Sequence, residues 1–172
     1  MVTECYLVVR AGGKLMRLLL SAAMAALLPS IAHGGPVFSR LSGSHPVTDQ
    51  CFARVYDAAH LKGHPRQRVT RFQLRRDRTG PVNNRARFTV AVGFRIIDEP
   101  DLFTVHGLCT TRGSIADCDG EGDAGHFRLE LAGANLRVEI GRLELEGSGA
   151  DLMESDDRTF LLRPVAAAEC QG

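Results

Sequence analysis

Asp57, His60 and His64 lie within one short stretch, Asp57-Ala58-Ala59-His60-Leu61-Lys62-Gly63-His64-Pro65. Residues three and four apart share a face of a helix. On a helical turn, one carboxylate and two imidazoles could therefore ligate a divalent metal and serve a metal-dependent hydrolase. Leu61, however, stands where the H-E-x-x-H pattern has its glutamate, and Gly63 and Pro65 interrupt a helix through His64. A turn capped by Asp57, with histidines bonded to nearby backbone, accounts for the same residues.

Asp117, Asp119, Glu121 and Asp123 fall at alternate positions around Cys118 and Gly120, as oxygen ligands do in a calcium loop. The twelfth position from Asp117 is Arg128 rather than glutamate, so an acidic hairpin tip competes with that reading. His106, Ser114, Asp117 and His126 are close in sequence, but no G-x-S-x-G motif accompanies them. Asp98, Glu99 and Asp101 mark a turn better than they mark an acid/base pair. No phosphate-binding glycine loop or dinucleotide fingerprint is present, and no cofactor is expected.

Charge is the stronger signal. Residues 52–97 carry eleven basic and two acidic side chains, and residues 98–157 carry four basic and fifteen acidic ones. Arg71 and Arg75 share one side of their strand, and Arg87 and Arg95 the outward side of the next. If those strands pair, the four guanidiniums form one anion-binding patch, suited to phosphate or carboxylate. Pairing with the acidic second half is the alternative.

These side chains must be positioned by strands. Phe88, Val90, Val92, Phe94 and Ile96 alternate with Arg87, Thr89, Ala91, Gly93 and Arg95, which predicts one buried and one open face. Similar alternation covers Phe52–Tyr56, Thr70–Leu74, Phe103–Cys109, Phe127–Leu131, Leu136–Ile140 and Arg158–Val165. The phase slips at Gly141-Arg142, as at a bulge. Pro164 should end the last strand or place it on an edge. Asp119-Gly120 and Gly133-Ala134-Asn135 read as hairpin turns, and Asp57–Gly63 as one short helical turn. About seven or eight short strands with regular turns predict an all-β fold, an antiparallel β-barrel or barrel-like sandwich. Seven of the eight phenylalanines take inward positions, Phe38 excepted, and tryptophan is absent. A stacking surface for nucleic acid is therefore not expected.

Lys14 and Arg17 precede an apolar run, Leu18–Leu28, then Pro29 and small residues at Ser30, Ala32 and Gly34. The run is shorter than the ~20 residues a membrane helix needs, so residues 1–34 read as an N-terminal extension and cleaved secretory signal. Residues 35–50 are a Gly-, Ser- and Pro-rich lead-in expected to be irregular, and 51–172 a single β domain that does not span a membrane. Cys51, Cys109, Cys118 and Cys170 then remain, and in an oxidising compartment they read as two disulfides. Of the three possible connectivities, Cys109–Cys118 across a hairpin and Cys51–Cys170 between the domain's ends are expected.

The stretch from Cys51 through Tyr56, Asp57, His60, Leu61, His64, Pro65 and Gln67 to Val69, with Cys118-Asp119-Gly120 and Asp156-Asp157-Arg158-Thr159-Phe160, resembles a family of small exported bacterial proteins of unknown function. The resemblance implies export and small size but assigns no site. The architecture is also similar to small periplasmic barrels that inhibit lysozymes, though no inhibitor motif matches. The resulting expectation is a periplasmic or secreted, non-enzymatic binding module for an anionic envelope component or protein partner, of inhibitor type. A hydrolase centred on Asp57, His60 and His64 and a structural envelope protein are the alternatives.

Overall fold

Eight strands that each place alternate apolar side chains on one face can bury all of those faces at once by closing into a ring. The computed structural model, which describes residues 36–43, 50–99, 101–143 and 155–170, does this. The strands are β1 (Cys51–Val55), β2 (Val69–Arg76), β3 (Arg87–Ile96), β4 (Phe103–Arg112), β5 (Ile115–Gly120), β6 (Gly125–Ala132), β7 (Asn135–Leu143) and β8 (Thr159–Val165). They form a closed antiparallel barrel in sequence order, and β8 pairs back onto β1. The expected export signal lies outside the described residues.

The interior is solid. Phe52, Phe72, Phe88, Phe94, Phe127 and Phe160 are buried within it, and Phe72 stacks on Phe160 with ring centroids 4.2 Å apart. Aromatic side chains packed in this way occupy the inside of an eight-stranded barrel. Both expected disulfides are formed. Cys109 and Cys118 face each other across β4 and β5 within the core, and Cys51–Cys170 ties the start of β1 to a 3-10 turn, Ala167–Cys170, beyond β8.

Several sequence expectations change. The lead-in is not wholly irregular: Pro36–Leu41 forms helix α1, whose Val37 and Leu41 join the core while Phe38 packs edge-on against Phe88. Phe38 is therefore part of the apolar packing too. The outer face of β3 is not open, since Thr89, Ala91 and Gly93 are buried. The 77–86 connection folds over it, with the Thr89 hydroxyl donating to the Val82 carbonyl at 3.1 Å, and the Gln73 side chain covers Gly93. Thr70 is not an inward strand residue. It sits at a register shift between Val69, opposite Ile96, and Arg71, opposite Arg95, so Val69 takes the buried place. Pro164 falls near the end of β8, as expected: the β7 pairing stops at Leu162, the strand ends at Val165, and Pro164 keeps only its β1 neighbour, Phe52. The slip at Gly141 is as expected: His126 pairs with Arg142 and Phe127 with Ile140, which leaves Gly141 as the extra residue. The exposed His126 ring lies over it, 2.1 Å from where a Cβ would stand, so a side chain at 141 would have to displace that ring.

Candidate functional site

In a barrel whose ring order is its sequence order, a charge difference along the chain becomes a charge difference around the wall. Arg71, Arg75, Arg87 and Arg95 all point outward from β2 and β3. Arg71 and Arg95 are direct cross-strand partners, Arg75 faces Ala91, and Arg87 lies past the end of β2, opposite Thr110 of β4. The expected single patch is therefore corrected to a line along β2 and β3, with two guanidiniums at one end. The physical reason is register: eight residues separate Arg87 from Arg95 on an extended strand.

Arg71 is held in place by its own bonds. Its Nε donates to Gln73 Oε1 at 2.9 Å, and a terminal nitrogen donates to the Glu169 carbonyl beside the Cys51–Cys170 disulfide. Arg75 and Arg87 are exposed. Among the described residues, none of Arg71, Arg75 and Arg87 makes an ion pair with a carboxylate. One pair joins the two halves, Arg66 with Asp156 at 2.5 Å, while two carboxylates of the acidic half have local partners. Asp117 is shared by Arg128 at 2.9 Å and Arg112 at 3.4 Å, and Glu130 meets Arg137 at 3.6 Å.

The Asp57 turn is α2 (Ala58–Gly63), and its side chains are engaged in the fold. Asp57 Oδ1 accepts from the His60 N–H at 2.8 Å as the helix cap. His60 Nε2 bonds Gln67 Oε1, and His64 Nδ1 bonds the His60 carbonyl. The two imidazoles are stacked at 4.1 Å and 15°, whereas two ligands to one metal need lone pairs converging on a point. Asp117 and Asp119 belong to β5 and not to a loop tip, while Glu121 and Asp123 lie in the turn after it. Among the described residues, no three His, Cys, Asp or Glu side chains are grouped so that they could hold a metal ion. Both metal sets expected from sequence are corrected accordingly.

Residues 54–69 and 155–160 meet here. Tyr56 packs on His60 and Phe160, with Arg54 over its ring at 5.0 Å. Burial pushes the Tyr56 phenol above its ordinary range; Arg54 opposes that and Asp157 adds to it. Asp157 is buried, and its Oδ2 accepts from the backbone N–H groups of Arg68 at 2.6 Å and Val69 at 3.2 Å. Its Oδ1 has no hydrogen-bond partner among the described residues. These contacts clamp the 155–158 segment to residues 66–69, which marks the cluster as a closure of the barrel.

One arrangement was not flagged by the sequence. Asp77 is buried outside β3 and β4, where its Oδ1 accepts from the Thr79 N–H at 2.9 Å and the Thr79 hydroxyl at 2.6 Å. Its Oδ2 meets His106 Nδ1 at 2.9 Å. Burial opposes the charge on Asp77, but the Thr79 and His106 bonds outweigh it and hold the carboxyl below the ordinary carboxylate range. A depressed folded value adds stability above the unfolded pKa of about 3.9, and that stability is lost as pH falls through the folded value. Asp77→Asn should accordingly lower Tm by a constant amount from neutral pH down to about 4, with the gap closing at more acid pH. Melting curves across that range test it, and a gap that persists at low pH would contradict the assignment.

Scans against protein-family models, curated proteins and solved structures find no match to this chain. What these sites define is an antiparallel eight-stranded barrel with a solid core, two disulfides and one wall lined by arginines.

Proposed function

We propose that this protein is a periplasmic or secreted, non-enzymatic binding module whose β2–β3 wall takes an anionic partner. The observation that carries the reading is the line of outward arginines, in which Arg71, Arg75 and Arg87 have no carboxylate partner among the described residues. Asp117 of β5 and Glu130 of β6 already have their own arginines. Guanidinium groups left available on a rigid wall attract phosphate or carboxylate and raise the rate of encounter with anionic partners. Two disulfides suit an oxidising compartment, and the resemblance to small exported bacterial proteins points the same way. Among the described residues, no helix is long and apolar enough to cross a membrane. The barrel also carries its apolar side chains inward and its arginines outward, the inverse of a membrane-spanning barrel.

The test is Arg75→Glu combined with Arg87→Glu, two exposed positions at which the fold should not change. The variant should leave an immobilised polyanion at clearly lower salt than the parent protein, with an unaltered circular dichroism spectrum. Elution at the same salt would overturn the assignment of this wall.

A further inference from the structure

The 77–86 connection divides the arginines of this wall, because it lies on Thr89 between Arg75 and Arg87. Beyond Arg87 it forms a corner with the end of β4. Arg87 stands opposite Thr110, and past that pair the two chains stay together. The Thr111 N–H donates to the Ala86 carbonyl at 2.8 Å, and the Thr111 hydroxyl to the Arg85 carbonyl at 2.9 Å. Asn84 fixes the approach: its side-chain oxygen accepts from the N–H groups of Ala86 at 3.0 Å and Arg87 at 2.9 Å. Arg85 and Arg87 are thereby set against Thr110 and Arg112, and all three arginines are exposed. Facing strand positions are about 5 Å apart, less than the reach of an arginine side chain, so the three guanidiniums can close on one point above Thr110.

Like charges on facing strand positions repel. Among the described residues no carboxylate relieves Arg85 or Arg87. Arg112 reaches Asp117 at 3.4 Å, but Asp117 is held more closely by Arg128, at 2.9 Å. We infer that this corner is a site for the phosphate group of a phosphomonoester, an inference that rests on the anion-binding reading and names its chemistry. A phosphomonoester presents three terminal oxygens, one for each guanidinium, and a charge approaching −2. A carboxylate has two oxygens, which a single arginine fork already fills. The half-buried Thr110 hydroxyl adds a neutral donor at the floor. The bonded backbone of residues 84–87 sets two of the arginines before the ligand arrives, which lowers the cost of ordering them.

The experiment titrates the protein, with both disulfides formed, with glycerol phosphate at constant ionic strength and follows the backbone amides by NMR. Succinate, which also carries two negative charges but as carboxylates, is titrated in parallel. Glycerol phosphate should shift the amides of residues 84–87 and 110–112 and bind at least five-fold more tightly than succinate. Arg85→Ala and Arg112→Ala should each weaken it about five-fold, the upper range for one exposed charge contact. Arg163→Ala removes an exposed arginine from the outer face of β8 and should leave the affinity unchanged. Vesicles containing phosphatidate distinguish the source of the group. Capture by the vesicles through the same three arginines supports the site and names a lipid headgroup, whereas binding of glycerol phosphate without capture supports it and names a soluble ester. Succinate binding as tightly at the same amides would overturn the phosphate assignment, and an equal loss in Arg163→Ala would overturn the corner. No shift with any probe would also remove the site. The anion-binding reading survives each of these results if Arg75→Glu with Arg87→Glu still leaves the polyanion at lower salt, and falls with the site if it does not.

Discussion

Replacing both Cys51 and Cys170 with alanine should destabilise the protein by about 5 kcal/mol, more than any other change at its cysteines. The bond joins residues 119 positions apart. Closing a loop of that length removes conformational freedom from the unfolded chain worth about 5 kcal/mol in the chain-entropy treatment. The same treatment gives about 3 kcal/mol for Cys109–Cys118, whose partners are nine positions apart. A domain of this size has roughly 5–15 kcal/mol in total, so the first loss is a large fraction of what holds it folded. Local packing works against the contrast in part. Cys51 and Cys170 form a small apolar cluster with Ala53 and Val165 on the outside of β1, while the second disulfide sits in the main core, where alanine leaves a cavity. Urea titration of the two double-alanine variants measures both quantities. Equal losses would show that packing, and not the length of the closed loop, sets the scale.

The strands that were legible in the sequence are those whose two faces differ strongly in polarity. β3 and β6 alternate phenylalanine, valine and leucine with arginine, glutamate or small residues, and period two is enough to place them. The bulge at Gly141 was legible because a one-residue slip moves every later apolar side chain to the wrong face. β5 was hidden for the opposite reason. Its inward residues are only Ala116 and Cys118, its outward ones Asp117 and Asp119, and that composition resembles a loop. What makes it a strand is two-sided pairing with β4 and β6, a tertiary cause that no local pattern records. Helix α1 was hidden as well, since its six residues carry a single apolar face that acquires meaning only against the barrel.

The candidate site was legible in part. The arginines were visible as outward residues, but whether they form a patch or a line depends on the offset between β2 and β3, which the bulge at Thr70 helps to set. Asp77 left a partial signal: an aspartate two residues before Thr79 and three before Gly80 is a turn former whose side chain bonds the backbone two residues on. Its partner His106 lies 29 residues away, and only the β3–β4 pairing brings the two together.

Asp157→Ala should destabilise the protein by about 3–4 kcal/mol, a large effect for a polar side chain. Asp157 Oδ2 is the acceptor for two neighbouring backbone donors, the N–H groups of Arg68 and Val69, at a place where the carboxylate is 2 % exposed and Val69 fully buried. A buried donor that loses its acceptor costs about 1–3 kcal/mol, and two donors are affected. The unpartnered Oδ1 offsets part of this, because truncation also removes a buried oxygen that nothing satisfies. Asp157→Asn keeps an oxygen for the two N–H groups and should cost less, about 1–2 kcal/mol. The order separates two causes. If the acceptor geometry clamps residues 155–158 to the α2–β2 connection, asparagine falls between aspartate and alanine; if the negative charge does so, asparagine is as damaging as alanine. Amide hydrogen exchange locates the effect. The Arg68 and Val69 amides should lose protection in the alanine variant while those of β6, on the far side of the ring, keep theirs relative to global unfolding. Unchanged exchange at Arg68 and Val69 would show that this end of the barrel is closed by the Tyr56, His60 and Phe160 packing instead.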